Sequence, residues 1–474
     1  MVFRITRKEI LENLISLRFI LSLLLVIALF ATSGFVFVQK YRQESHDYWK
    51  ETNKNLAGLS EGSERLYQLA FYQQAVYRKP SQLGLCAEGF EKYLPNRFAF
   101  NVFSMEYPEV KSRTNFLVSR FCDLDWAFVV ALFVSFMAML FTYDSICGER
   151  EAGTLRLMLA EVSARHNVLL GKYLGAMFTV GISLLVGLLV SLIIVIVSKV
   201  VDFGISEWLK ILAILLVSVL YLSIFVLLGM FVSSRTTHAA TSMVVLLFVW
   251  VGVAILVPSF GRIVSNAGDK IPTEAEMERR RKEVVDQCVD DALSGKYGDS
   301  AGNYSPDPDS PSVNPPARAR FYNALFEVQN QILEEHQNRM MAQTIIGRRF
   351  TCIAPTAIYL RASESVAGTG IRRFSSLRRQ IKRYQENLKQ FILSKDQEDP
   401  DSLHLLFAQE NAMESWKAIS SEPVDFDTVP QFEEQDLAVG ESVRLAIWDI
   451  CLLALFNMAL FAASFVSFLR YDVR

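Results

Sequence analysis

The chain has 474 residues, 51% of them hydrophobic, and 48 Lys plus Arg against 50 Asp plus Glu give a formal net charge of −2. Ordinary soluble proteins are less apolar than this, and a charge so near zero argues against a general nucleic-acid binder. With a positive mean hydropathy, the composition is that of a membrane protein.

Residues 1–18 are polar and helix-like, with Arg4, Arg7, Lys8 and Arg18 leading into the first apolar run, and predict an N-terminal helix on the cytoplasmic side or at the interface. Runs of about 20 apolar residues, enough to cross roughly 30 Å of hydrocarbon, occur at 19–38, 126–143, 173–198, 209–232, 240–260 and 445–469. They predict six transmembrane helices. The first run follows basic residues as a secretory signal would, but it continues past Ala31-Thr32-Ser33-Gly34 to Val38 and is expected to stay as an anchor.

Lys and Arg near span ends are retained in the cytoplasm. They gather at the N-terminus, in the 144–172 connection (Arg150, Arg156, Arg165, Lys172), at Arg235 and at Arg470 and Arg474. Both termini are therefore expected on the cytoplasmic side of a cell (inner) membrane, with 39–125 and 261–443 outside. Segment 39–125 opens with polar helix-like sequence (Glu44 to Tyr72) and ends rich in Pro and aromatics, and its fold is not legible. Segment 261–443 reads as helical from Thr273, a potential N-cap, to about Leu293. After a loop dense in Gly, Pro, Asp and Ser, it is helical again from Ala317 to Gly347.

Another helix places Ile371, Phe374, Leu377, Ile381, Tyr384, Leu388 and Phe391 on one apolar stripe. Opposite it, Arg372, Arg373, Arg378, Arg379, Lys382 and Arg383 form a cationic face, expected to be solvated and balanced by acidic tracts. The fold class expected is mainly α: a polytopic membrane protein with six transmembrane helices and a large, mostly helical extracytoplasmic domain. Cys86, Cys122, Cys288 and Cys352 fall in the outer segments. They allow two disulfides in three pairings or four buried thiols, and their spacing carries no framework signature.

The 144–172 connection is charged where it leaves the membrane. Gly148 and Gly153 permit turns around Glu149, Arg150 and Glu151; Thr154-Leu155-Arg156 begins a partly apolar helix, and Ser163 can cap the approach to the third span. No catalytic constellation accompanies it. His46, His166, His238, His336 and His404 form no H-E-x-x-H pair, and no Cys-x-x-Cys occurs, so neither a catalytic nor a metal site is expected. Within the sixth span, Asp449 is expected to be hydrated or paired with Arg444, and Asn457 to hydrogen-bond another helix.

The stretch CGEREAGTLRLMLAEVSARHNVLLGKYLG, residues 147–175, resembles the segment after the second span in permeases of the ABC-2 type transporter family. A Gly-Glu-Arg-Glu start, a Gly-Thr-Leu step and a Leu-Leu-Gly-Lys-Tyr-Leu entry to span three recur there in this order. RKPSQLGLCAEGFEKYLPN and APTAIYLRASESVAGTGIRRF resemble segments of a subset with a large extracytoplasmic insertion, related to permeases encoded beside nitrous-oxide reductase and in gliding systems.

The resemblance implies an exporting permease subunit in which 148–166 is the coupling helix. Gly148, Glu149, Arg150, Glu151, Gly153, Thr154, Leu155 and Arg156 would meet a separately encoded ABC ATPase dimer. The turn around Ser233 to Ala239, with Ser234, Arg235 and Thr236, would lie on the same face. A second permease copy or a related permease would complete the pathway within membrane lipid. Spans so poor in charge suit an amphiphilic, lipid-like or peptide cargo better than a bare ion. No cofactor is expected in this chain: it lacks G-x-x-x-x-G-K-[ST], and AGTG at 367–370 has no following Lys, so ATP and Mg would be bound by the partner. The rival reading is a non-transporting membrane scaffold or sensor with an extracytoplasmic partner-binding domain.

Overall fold

The computed structural model describes residues 2–106 apart from 90, 92 and 93, then 124–154, 165–260, 272, 274–298, 314–410, 414 and 417–470. Ser16 sets the first junction. Its extended backbone breaks the helix, and its hydroxyl accepts from Phe19 N at 3.2 Å. It thereby ends α1 (Val2–Ile15) and caps α2 (Leu17–Gly62), a 46-residue helix that runs through the first span and far beyond it. The sequence separates span 19–38 from a later helix, but nothing between them breaks the helical backbone.

Next come α3 (Leu66–Phe71) and the antiparallel pair β1 (Gln74–Tyr77) and β2 (Arg97–Phe100), with Gln74 opposite Phe100. The chain returns to the bundle as α4 (Trp126–Leu140), a short apolar helix with a π-helical turn at Val130–Val134. A turn leads to α5 (Cys147–Glu151). Then follow α6 (Arg165–Val197), α7 (Ile205–Arg235) and α8 (Ala239–Phe260). The second large segment contains α9 (Glu274–Leu293), α10 (Pro315–Phe350), α11 (Pro355–Ala367) and α12 (Gly370–Asp396) before α13 (Val439–Leu469). Among the described residues, α2, α6, α7, α8 and α13 are long and apolar enough to cross a membrane. Thr273 and Ser163 lie outside the described residues, so their capping roles go undescribed.

Small residues let the spans approach closely. A Cβ added at Gly34 of α2 would stand 3.1 Å from the backbone oxygen of Ser191 on α6, and one at Gly187 would stand 2.6 Å from the buried Phe30 ring. Trp126 Nε1 donates to Ser191 Oγ at 2.9 Å, so α4 joins the same seam.

Helix α1 and the last turn of α13 lie at one end of the bundle: Thr6 donates to Gly171 O, and Arg165 to Leu469 O. The two large segments gather at the other end and share one interior. On α12, Phe374, Leu377, Ile381 and Tyr384 pack with Val76, Phe98 and Phe100 of the β pair. Leu388 and Ile392 pack with Leu59, Leu66, Leu69, Phe407 and Ile419. The predicted stripe is therefore the core face, but Arg373 does not belong to a solvated cationic face. It is 6% exposed and ion-paired to Glu91 at 2.6 Å and to Glu434 at 2.8 Å, because the helix is enclosed on more than its apolar side.

The sequence assigns α11 wholly to the outer segment, yet Ile358, Tyr359, Ala362 and Val366 share the core of the spans. Pro355 starts this helix and left-handed Gly368, at φ 73°, ends it. Tyr359 stacks on Tyr221 of α7 with ring centroids 4.4 Å apart and hydrogen-bonds Ser218 at 2.8 Å, while Tyr221 donates to Ala131 O of α4 at 2.9 Å. Arg361 engages Asp449 of α13 at 2.5 and 2.9 Å. This corrects the expected Arg444 partner: a helix distant in sequence brings the closer cation. Asn457 meets its expectation by donating to Leu220 O on α7 at 2.9 Å.

Asp125 joins the two parts of the molecule. Its carboxylate accepts from Phe128 N at 2.7 Å, capping α4, and from Glu88 N and Gly89 N of the outer segment at 2.9 and 3.3 Å. Desolvation pushes its carboxyl up to about 6, although the three amides pull the other way. Cys86, Cys288 and Cys352 are free thiols, and Cys122 lies outside the described residues.

Packing at Gly34 predicts that Gly34→Val lowers stability by about 1–3 kcal/mol in detergent thermal unfolding. Gly181→Ala, where a Cβ meets nothing within 4 Å, should leave the transition in place. At the junction both carboxylate oxygens accept, Oδ1 from Phe128 N and Oδ2 from Glu88 N and Gly89 N; Asp125→Asn keeps one acceptor but turns an NH2 toward the amides on the other side and should lose part of the junction's stability, while Asp125→Ala orphans all three amides and should lose more, about 1–3 kcal/mol. Equal unfolding temperatures for these two variants would contradict the assigned role.

Candidate functional site

The charged connection starts from Thr142, whose hydroxyl donates to Ala138 O at 2.9 Å as α4 ends. Gly229 of α7 lies against it: a Cβ there would fall 1.9 Å from Thr142 Oγ. The backbone then enters α5, whose start has no local side-chain cap. Ser233, in the last turn of α7, supplies one. Its hydroxyl accepts from Ile146 N at 3.0 Å and from Cys147 N at 3.1 Å. Two first-turn amides that a helix cannot satisfy internally are thus satisfied by a span far away in sequence.

On α5, Glu149 turns inward and Arg150 and Glu151 lie exposed. Glu149 reaches Lys172 Nζ at 2.8 Å, and Glu9 of α1 reaches the same nitrogen at 2.6 Å. The Lys172 side chain is only 3% exposed, against 15% for Glu9 and 19% for Glu149. One ammonium thus holds three elements: the N-terminal helix, the Gly-Glu-Arg-Glu helix and the base of α6. Nearby, α1 lies close on α6 because Gly171 and Gly175 offer no side chain; added Cβ atoms would sit 2.8 Å from Ile5 Cγ2 and 2.6 Å from Glu9 Cβ. Phe3, Leu11 and Ile15 of α1 remain largely exposed, as suits a helix at the membrane boundary. A second ion pair, Arg18 to Asp144 at 2.7 Å, ties the start of α2 to the same turn.

Gly153 ends the short helix in the left-handed region, at φ 73°. Thr154 donates to Glu149 O at 3.3 Å. Leu155 and Arg156 lie outside the described residues, as does most of the expected helix over 148–166.

The second turn, between α7 and α8, comes to the same place. His238 Nδ1 is 2.9 Å from Glu151 Oε1, and Arg235 lies exposed over the Phe231 ring. Thr236 Oγ1 donates back to Val232 O. Ser234 is buried and meets Ser467 of α13 at 2.7 Å, so it faces the bundle. The exposed surface joining the two turns therefore carries Arg150, Glu151, Gly153, Thr154, Arg235 and His238. Sequence reasoning found both turns but passed over Glu9 and Lys172 as partners. The available signal was Glu9, a carboxylate directly after Arg7 and Lys8 in the N-terminal helix, and one Lys inside the glycine-containing entry to α6. No group of His, Cys, Asp and Glu among the described residues is arranged to hold a metal ion.

The molecule is a polytopic helical bundle whose two charged turns converge at the end where α1 and the last turn of α13 lie. The family described as ABC-2 family transporter protein matches residues 3–473, and the chain belongs to that family. It is a membrane subunit of an ABC transporter. No curated protein matches the chain.

Removing the shared cation should orphan two carboxylates. Lys172→Met is expected to cost about 3–5 kcal/mol and to expose Arg4 and Arg7 of α1 to limited trypsin digestion before the bundle unfolds. If α1 stays protected, the clamp does not hold it.

Proposed function

We propose that this chain is the permease of an ATP-driven exporter and that a separately encoded ATPase pair docks on the surface formed by α5 and the α7–α8 turn. The observation carrying this reading is the double attachment of α5. Lys172 binds it to α6 and α1, and Ser233 binds it to α7. Displacing α5 would load three helices together, because the buried charges and amides are costly to separate. A solvated loop would need neither attachment.

In this mechanism ATP binding closes the partner ATPases, the exposed side of α5 moves with them, and α6 and α7 reorient around the pathway. A second permease, the same chain or a relative, supplies the other half. The surface would face the cytoplasm, where ATP is available, and the domain built from 39–125 and 261–443 would stand on the opposite side to receive or gate an amphiphilic, lipid-like or peptide cargo. Arg150, Glu151, Gly153, Thr154, Arg235 and Thr236 are the docking residues we assign, together with Leu155 and Arg156. This chain binds no nucleotide itself in this reading; ATP and Mg belong to the partner.

The test is co-purification after gentle solubilisation from the native membrane. The native chain should carry an ATPase with it, and Glu151→Lys combined with Arg235→Glu should reduce that ATPase about ten-fold without shifting the unfolding temperature. A cysteine placed at Thr154 should be labelled by an impermeant reagent only once the membrane is opened. Labelling in intact cells, or a native chain that never retains an ATPase, would refute the reading.

A further inference from the structure

Above the Gly34–Ser191 contact, α2 and α6 part company. The α6 helix stops at Val197, and Lys199 takes a left-handed backbone at φ 53°, while α2 continues to Gly62. Their divergence leaves an open groove of about 830 Å³ at the end of the bundle nearer the two large segments. It has a polarity gradient. Phe35 and Val38 of α2 face Ile194 and Val197 of α6 at the level of the apolar runs, and Arg42 and His46 rise above them on α2. Phe35 is 60% exposed and Val197 73% exposed.

Residues 35, 38, 39, 42, 43 and 46 recur at spacings of three and four, so one helix face presents the apolar slot and then the polar rim. The acidic neighbours Glu44 and Asp47 fall off this face. Lys40, the first cation past the apolar run, is already paired with Glu88. Arg42 is exposed, and among the described residues it has no ion pair or hydrogen bond; the same holds for His46.

We propose that this groove binds an anionic phospholipid from the leaflet on the side of the two large segments. The Arg42 guanidinium holds the phosphate, since its planar fork of donors matches phosphate oxygens. Gln39 and Gln43 supply amide donors at the same depth, and an acyl chain fills the slot between Phe35 and Val197. Charge complementarity chooses this occupant: a cation at head-group height directly above an apolar cleft fits an anionic amphiphile, whereas a zwitterionic lipid would gain less and a free phosphate would leave the cleft empty. The site is independent of the proposed docking of an ATPase at the opposite end of the bundle.

The experiment uses the full chain reconstituted in phosphatidylcholine with or without phosphatidylglycerol, then released into mild detergent for native mass spectrometry. The wild type should retain phosphatidylglycerol over phosphatidylcholine. Arg42→Gln should lower that retention about five-fold, the factor for roughly 1 kcal/mol per surface cation, and Lys50→Gln on the same helix should not. Because Arg42 is exposed, the variant's unfolding temperature should match the wild type. Equal retention by Arg42→Gln would overturn the proposal. So would glycerol phosphate competing as well as the intact lipid, or a Phe35→Cys chain cross-linking to a second copy through this groove.

Discussion

Lys172 has two carboxylate neighbours and almost no contact with water, and much of the architecture at its end of the bundle depends on that arrangement. A buried ion pair is weak evidence for net stability, because desolvation offsets most of the attraction. Its consequence lies in the asymmetry. Once the ammonium is enclosed, neither Glu9 nor Glu149 can leave without a large penalty, so α1 and α5 are held to the base of α6 more firmly than a hydrophobic contact of the same area would hold them. Glu149 Oε2, buried and unpartnered among the described residues, shows that the geometry favours position over full satisfaction.

The same logic recurs across the molecule in weaker forms. Ser233 holds the start of α5 with one hydroxyl and two amides. Glycines and serines bring α2 to α6, where a larger residue would force the helices apart. At the far end, α11 is wedged among the spans by a tyrosine stack and by the Arg361–Asp449 pair, while Asp125 joins α4 to the outer segment. The bundle is thus tied at both ends by polar contacts and along its middle by close backbone approach.

Much of this was legible in the sequence. Five of the six apolar runs coincide with the helices long and apolar enough to span, and the run at 126–143 with the shorter α4; the three-and-four spacing from Ile371 to Leu388 identified the core face of α12. Tertiary partners were not legible, because periodicity describes a helix and not what packs on it. Arg373 looks solvated on a helical wheel, yet Glu91 and Glu434 come from distant segments. Asp449 had a local candidate in Arg444, but Arg361 comes closer through the fold. Helix α11 escaped notice because its thirteen residues are too few to span and its serines, tyrosine and arginine dilute its hydropathy; Tyr359 and Arg361 meet Ser218 and Asp449 only once it inserts. At the candidate site the glycines and the short charged helix were visible, and the clamp uniting them was not.

The most direct test is whether Lys172 makes α1 and α5 one rigid unit. Spin labels at Lys8 and Ala152, both exposed, would report their separation by pulsed electron resonance in nanodiscs. The account predicts a single narrow distance distribution in the wild type and a broad, longer one in Lys172→Met. Indistinguishable distributions in the two proteins would contradict it.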